Sequence, residues 1–120
     1  MRFNTALLHS AKLGDENTGA TLTPIYQSSA FYQPSAEQHE KLFHNKATGY
    51  SYTRINNPTI VAFEERMTNL EKGVGSVACS SGMAALTNAL LNIVGAGGEI
   101  VSSTGLYGGT IDLFHDLEAF

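Results

Sequence analysis

SVACSSGMAALTNALLNIVG, residues 76–95, is the stretch that decides the fold. Its first residues, 76–79, are a short apolar run that predicts a buried strand, and Ser80-Ser81-Gly82 predict a turn. Apolar residues then recur at helical spacing until Gly95, which predicts a helix that ends there. These apolar residues are Met83, Leu86, Leu90, Leu91 and Val94. Strand, turn and helix therefore follow one another directly.

The same order repeats further along the chain. Residues 97–98 predict a turn, residues 99–102 a second strand, and residues 105–109 a loop that leads into a last helix. Strand, helix, strand and helix at this spacing favour parallel pairing through right-handed crossovers. The pattern thus predicts an α/β fold that begins a doubly wound parallel sheet. Ligands of such sheets bind beyond the carboxyl ends of the strands, here at residues 80–82 and 104–109.

The first part of the chain has weaker periodicity. TLTPIYQSSAF, residues 21–31, alternates loosely and contains a proline, which is typical of an extended arm or an edge strand. Ser35 predicts the cap of a short surface helix, with Gln38 completing a capping box. We therefore expect residues 1–56 to form an N-terminal arm with a short helix.

A clear helix signal begins at Asn57-Pro58, a cap followed by proline at the first helical position. The helix is predicted over residues 58–72 and ends before Gly73. Its apolar face is formed by Phe63, Met67 and Leu70. We expect residues 57–120 to be the beginning of the α/β domain.

Composition excludes several classes of protein. The 120 residues are 42% hydrophobic and 15% charged, which is too apolar for intrinsic disorder, and no apolar run approaches the roughly 20 residues of a membrane helix. A net charge of −4 argues against nucleic acid as a main partner. The N-terminal residues do not resemble a signal peptide, so a cytoplasmic protein is expected. One cysteine, Cys79, and four histidines without ligand spacing predict no metal site.

The turn at Ser81 leaves two interpretations open. Free amides and the partial positive charge at a helix N-terminus form a ready anion site, which suits a phosphate or a carboxylate. The alternative, which the spacing alone slightly favours, is that Ser81 is a simple helix cap. The turn lacks the glycine spacing of a dinucleotide site and the Lys-Ser/Thr of a Walker loop.

Two other places carry side chains suited to a ligand. Tyr52 and Arg54 point to the same side of an extended stretch and together offer several donors to a phosphate. By themselves these residues favour the alternative, in which Arg54 pairs with Glu64 or Glu65. Tyr107 lies in a glycine-flanked loop that lets its ring lie flat on a ligand, or it is an ordinary half-buried loop tyrosine.

Taken together, three segments resemble the successive motifs of the Cys/Met-metabolism family of pyridoxal-phosphate enzymes. They are YTRINNPT (residues 52–59), SSGMAA (residues 80–85) and LYGGT (residues 106–110), and TPIYQ (residues 23–27) resembles the family's N-terminal arm. The resemblance extends from about residue 19 to the end of the chain. It implies a fold-type I enzyme with pyridoxal 5'-phosphate as cofactor and an amino-acid substrate.

The resemblance implies phosphate-binding roles at two of these segments. Ser81, Gly82 and Met83 would hold the cofactor phosphate, with Gly82 and Met83 acting through backbone amides. Tyr52 and Arg54 would reach the phosphate of the neighbouring subunit, which reverses the preference for an ion pair. Each site then needs two chains, and the complete protein is expected to be at least a dimer and to assemble as a homotetramer.

The third segment bears on catalysis and on the subfamily. Tyr107 would stack on the pyridine ring and, as a catalytic residue, assist proton transfer. Methionine γ-lyases characteristically have cysteine where this chain has Gly109, and residues 107–114 look most like O-acetylhomoserine sulfhydrylases. The resemblance therefore implies acetate elimination from O-acetyl-L-homoserine and sulfide addition to give homocysteine. Cystathionine γ-synthase, cystathionine lyase and methionine γ-lyase remain alternatives.

The chain is expected to be a fragment, since the apolar stripe of its last helix runs to Phe120 without a stop signal. In the family, the Schiff-base lysine and the carboxylate-binding arginine would lie beyond residue 120. The lysines of this chain lack the family's sequence context, so the chain alone is expected to be inactive. These lysines are Lys12, Lys41, Lys46 and Lys72. The alternative of another class is a non-catalytic fragment that associates with a partner subunit.

Overall fold

The computed structural model describes residues 2–11 and 14–118, which include five α-helices. The helices are α1 (Phe3–His9), α2 (Ala36–Phe43), α3 (Pro58–Glu71), α4 (Gly82–Ile93) and α5 (Gly108–Glu118). The chain divides into two compact units, Met1–Val77 and Ala78–Phe120. Lys12 and Phe120, on which sequence predictions fall, lie outside the described residues. The predicted division into domains at residues 56 and 57 stays a prediction.

Helix α3 confirms the sequence prediction at its N-terminus. The Asn57 side chain accepts a hydrogen bond from the Thr59 amide at 2.8 Å, and Pro58 occupies the first helical position. At the C-terminus the prediction of a stop at Gly73 is off by one residue, because Lys72 adopts the left-handed conformation with φ of 55°. The Lys72 and Gly73 amides both donate to the carbonyl of Thr68, which satisfies this helix end.

Helix α1, which the sequence analysis did not predict, packs against α3. The Asn69 side chain donates to the carbonyl of Ser10, just after α1. Helix α1 has only seven residues, about two turns, which is too short to give a strong periodic signal in the sequence. The Ser35 cap of α2 is confirmed, since its hydroxyl accepts from the Gln38 amide at 3.2 Å.

The rest of the arm is irregular, and an antiparallel bridge joins Ala30 to Tyr52. Its two hydrogen bonds run from the Phe31 amide to the Ser51 carbonyl at 3.0 Å and from the Thr53 amide to the Ser29 carbonyl at 2.9 Å. The prediction of an extended arm fits this bridge, which fixes the backbone of Tyr52.

The predicted strands at residues 76–79 and 99–102 are not paired strands in the structure. Within residues 2–11 and 14–118, β-pairing is confined to two isolated bridges, the second joining Asp15 and Ala20. An apolar run favours extended backbone, but a strand also needs a neighbour about 4.8 Å away to take its hydrogen bonds. The prediction of a parallel sheet is therefore not confirmed within the described residues.

In the second unit, α4 and α5 contact each other. The Ser81 cap and the turn at residues 97–98 are confirmed, and the Gly98 amide donates to the Gly95 carbonyl at 2.9 Å. Cys79, in the run predicted to be a buried strand, is half-buried and accepts a 3.7 Å contact from the Asn88 side chain.

Apolar side chains remain accessible throughout the described residues, where no hydrophobic residue is buried. Phe63 on α3 is 54% exposed, and Val101 is 97% exposed. None of the described helices is both long enough and apolar enough to cross a bilayer.

Candidate active site

The N-terminal turn of α4 is built by Ser81. Its backbone is extended, with φ of −157° and ψ of 163°, and its hydroxyl accepts from the Ala84 amide at 3.1 Å. The Ser81 carbonyl begins the helical ladder by accepting from Ala85 at 3.0 Å. The amides of Gly82 and Met83, at the first two helical positions, have no acceptor within the helix. The cap interpretation is thus confirmed, and it leaves two amides for a ligand.

This turn has room for an anion. Ser81 and Gly82 are exposed, and a Cβ atom added to Gly82 would meet nothing within 4 Å. The turn offers two amides, a hydroxyl and the positive end of a helix dipole, and these are the groups that bind phosphate elsewhere. The donor set therefore fits the phosphate of pyridoxal 5'-phosphate.

Tyr107 lies beside this turn within the same unit. It directly precedes α5, and its carbonyl accepts from the Thr110 amide at 2.9 Å. A Cβ atom at Gly109 would lie 2.7 Å from Cε1 of Tyr107 and 3.5 Å from Sδ of Met83. The Tyr107 ring, just before α5, and the Met83 side chain, from α4, thus approach the same glycine. The ring is 74% exposed, so its face is accessible to a ligand.

Tyr52 and Arg54 lie together in the first unit. The Arg54 Cζ atom is 5.6 Å from the centroid of the Tyr52 ring, which is a cation–π contact. Both side chains are exposed, so the guanidinium retains donors for a ligand. The structure brings these two residues together, as it brings Ser81, Gly82 and Met83 together with Tyr107. The two groups belong to different compact units.

Tyr50 was not singled out in the sequence. Its ring packs against Phe31 with centroids 5.6 Å apart, in a cavity of about 400 Å³ that Tyr26 and Glu65 also line. Burial raises the pKa of the Tyr50 phenol, and the nearby charges of Glu65 and Tyr26 raise it further. The Tyr50 phenol therefore stays protonated at neutral pH. Tyr50 belongs to the arm, and the cavity that it lines is also lined by Glu65 of α3.

The sequence identified Asn57 as a helix cap but did not show that its side chain also bonds the arm. Asn57 is 3% exposed and binds the arm as well as its own helix. At the level of local structure, the sequence signal at this position is a cap motif, and a cap is ordinarily satisfied at the surface.

Comparison with known proteins places the chain in a family. The model of the Cys/Met metabolism PLP-dependent enzymes matches residues 4–119. The chain belongs to this family, whose members depend on pyridoxal 5'-phosphate.

Particular relatives refine this picture. The chain is 49% identical over 112 residues to O-acetyl-L-homoserine sulfhydrylase of Corynebacterium glutamicum and 44% identical over 110 residues to cystathionine gamma-lyase of Bacillus subtilis. These matches cover 93% and 92% of this chain but only 26% and 27% of the relatives. The chain thus spans about a quarter of the length of the relatives it matches.

A solved structure agrees with the sequence comparison. A Campylobacter jejuni protein crystallised with N'-pyridoxyl-lysine-5'-monophosphate matches all of this chain with a TM-score of 0.89 and 32% identity. The match covers 30% of that protein. The local fold of the chain is therefore that of the corresponding part of a fold-type I pyridoxal-phosphate enzyme.

Proposed function

We propose that these residues form the N-terminal part of a pyridoxal-phosphate-dependent O-acetylhomoserine sulfhydrylase, which replaces the acetate of O-acetyl-L-homoserine by sulfide to give homocysteine. The observation that carries the proposal is the open N-terminal turn of α4 with the Tyr107 ring beside it. The 49% identity to a sulfhydrylase supports the choice of reaction. Other reactions of the family, those of cystathionine γ-synthase, cystathionine lyase and methionine γ-lyase, are the alternatives.

In this proposal the chain's own residues bind and orient the cofactor. Ser81 donates its hydroxyl, and Gly82 and Met83 donate their amides, to the phosphate. When bound, pyridoxal phosphate serves as the electron sink for carbanions of the substrate. Tyr107 stacks on the ring and holds or transfers a proton at its phenol oxygen. The Tyr107 side chain is accessible for this contact, since the residue is 74% exposed.

The proposal includes an assembly. Tyr52 and Arg54 bind the cofactor phosphate of a neighbouring subunit, so the complete protein is at least a dimer, and we propose a homotetramer in the cytoplasm. Tyr52 and Arg54 are both exposed and contact each other, which supports this role. We further propose that the apolar segments at residues 76–79 and 99–102 join a parallel sheet in the longer polypeptide, with strands that the described residues do not supply.

The direct test of the reaction uses the polypeptide at the length of its relatives. We expect its kcat/KM to be highest for O-acetyl-L-homoserine with sulfide, measured as homocysteine formed. A higher kcat/KM for cystathionine or methionine, measured as the keto acid released, would show that the protein is the corresponding lyase and not a sulfhydrylase. The proposed cofactor site would not be affected by that result.

Gly109 provides a prediction about Tyr107. Gly109→Ala should lower kcat of the longer polypeptide roughly tenfold, because its Cβ occupies the place of the Tyr107 ring, and proton transfer by such groups contributes about 10²–10⁴-fold. The thermal midpoint should change little, because Gly109 lies in the first turn of α5 and not in the helix interior, where alanine is about 1 kcal/mol more favourable than glycine. The measurement is kcat together with the thermal midpoint.

Gly108→Ala is the matched control, since a Cβ at Gly108 meets nothing within 4 Å. It should leave kcat within about twofold of the parent protein. Equal kcat values for the two variants would show that Gly109 does not determine the place of Tyr107.

The second candidate function is a non-catalytic role in subunit association. The absence of buried hydrophobic residues among the described part of the chain favours it, because exposed apolar surface promotes association. We expect the isolated 120-residue chain to sediment as oligomers and to release no homocysteine. A dispersed monomer in sedimentation velocity would count against association, and time-dependent homocysteine release would overturn the expected inactivity.

A further inference from the structure

Asn57 is the buried residue of the described chain, with 3% of its surface exposed. A buried side-chain amide is costly unless its donors and its acceptor are all used. In Asn57 they are: Oδ1 accepts from the Thr59 amide at 2.8 Å, and Nδ2 donates to the Tyr26 carbonyl at 3.0 Å and to Oγ1 of Thr53 at 3.1 Å. One side chain thus joins three separate segments.

Thr59 strengthens the same junction. Its hydroxyl accepts from the Tyr26 amide at 2.8 Å and donates to the Pro24 carbonyl at 3.3 Å. The first turn of α3 therefore holds the arm segment at both the amide and the carbonyl of Tyr26. These bonds are more than a helix cap requires, because capping alone uses only the bond from the Thr59 amide to Asn57.

The segment with Tyr52 and Arg54 is held between these anchors. Thr53 is fixed on its backbone by Ser29 and on its side chain by Asn57. The Tyr52 carbonyl accepts from the Ile55 amide at 2.9 Å and the Asn56 amide at 3.1 Å. Arg54 itself lies exposed between two fixed residues, with its guanidinium over the Tyr52 ring.

We propose that Asn57 is a positioning residue: its two amide donors hold the Tyr52–Arg54 segment in the place from which it binds the cofactor phosphate. The inference rests on the proposed function of Arg54. A binding group that is correctly placed only part of the time weakens the apparent affinity by that fraction. Loss of the two donors should therefore weaken cofactor binding even though Asn57 does not touch the cofactor.

Asn57→Ser separates this role from capping. Serine is as good a cap as asparagine, but it lacks the two amide donors. In the longer polypeptide we expect the Kd for pyridoxal 5'-phosphate to rise roughly tenfold. Thr53→Val removes one acceptor of Asn57 and leaves the cap intact, and it should also raise the Kd for the cofactor. If Asn57→Ser does not fold, the Kd of Thr53→Val tests the inference in its place.

Thr68→Val is the control for general loss of stability. It removes the Thr68 hydroxyl, which donates to the Glu64 carbonyl of the same helix at 2.8 Å and lies within hydrogen-bond distance of the Ser76 hydroxyl at 2.9 Å, and it leaves the arm's bonds to Asn57 and Thr59 in place. Its Kd for the cofactor should equal that of the parent protein. An equal rise in this variant would assign the effect of Asn57 to stability alone.

The decisive readout is coupling to Arg54. If Asn57 acts through Arg54, Asn57→Ser should raise the Kd less when Arg54 is already alanine than it does in the parent protein, and the remaining effect is the part that acts through Tyr52. Multiplying effects in the double variant, or unchanged binding in folded Asn57→Ser and Thr53→Val, would overturn the inference. Unchanged binding in Arg54→Ala alone would instead refute the proposed function of Arg54, so the two failures are distinguishable.

Discussion

Replacing Gly82 by proline should weaken binding of pyridoxal 5'-phosphate by about 10- to 150-fold while leaving α4 at least as stable as before. Proline removes the Gly82 amide hydrogen, which we propose to donate to the cofactor phosphate. A hydrogen bond to a charged group contributes about 1.5–3 kcal/mol, and about 1.4 kcal/mol corresponds to a tenfold change in Kd.

Helix α4 should accept this proline without strain. The first position of a helix has no intrahelical acceptor for its amide, and the preceding residue, Ser81, is already in the extended conformation that precedes proline well. The chain shows the same arrangement at α3, where extended Asn57 precedes Pro58. A side chain at Gly82 meets open space. A loss of affinity would therefore report the missing donor and not a broken helix.

Ala36→Pro is the matched control. Ala36 is the first residue of α2, and its cap, Ser35, has φ of −154° and ψ of 163°, close to the angles of Ser81. Both variants should keep their thermal midpoints, and only Gly82→Pro should raise the Kd measured by titrating the apoprotein with cofactor. Equal Kd values for the two variants would contradict the phosphate role of the α4 turn.

Arg54→Ala in the longer polypeptide should also raise the Kd for the cofactor about 10- to 150-fold, because one charge-assisted contact to the phosphate is lost. Stability should change little, since Arg54 is exposed and its cation–π contact with Tyr52 contributes about 0.5–1 kcal/mol at such a site. Cofactor retention during gel filtration and a thermal melt provide the two measurements.

Arg2→Ala serves as the control, because Arg2 is exposed and precedes α1 without a side-chain cap bond. It removes the same charge from the protein and should not alter cofactor retention. If Arg54→Ala keeps the parent protein's affinity for the cofactor and its cofactor absorption spectrum, Arg54 does not bind the phosphate. The interpretation in which Arg54 pairs with Glu64 or Glu65 would then be preferred.

The local elements were predictable where one residue determines the local geometry. Ser35, Asn57 and Ser81 each cap the helix that the sequence assigned to them, because a side-chain oxygen directly before a helical pattern can accept from a free amide of the first turn. The candidate phosphate turn followed from Ser81 in the same way. Residue types and short spacing were sufficient at these positions.

Features that depend on distant partners were not predictable in this way. The apolar runs at residues 76–79 and 99–102 indicate extended backbone but do not supply the neighbours that make a strand. Asn57 looks like any other cap until the fold brings Tyr26, 31 residues earlier, against it. Short helix α1 depends on contact with α3, so its own sequence carried little signal.

We propose a cofactor site built from the α4 turn of one subunit and Arg54 of another, and complementation between variants tests this arrangement most directly. Arg54→Ala and Gly82→Pro subunits, carrying different tags, would be coexpressed in the longer form and purified through both tags. In a mixed pair, one site combines the unaltered α4 turn of the Arg54→Ala subunit with Arg54 of the Gly82→Pro subunit, so this site is intact. The other site carries both substitutions. We predict tight cofactor binding at up to one site for every two subunits, whereas each variant alone has none. If both variants bind weakly alone and the mixed protein shows no tight site, the two residues do not come together from different subunits.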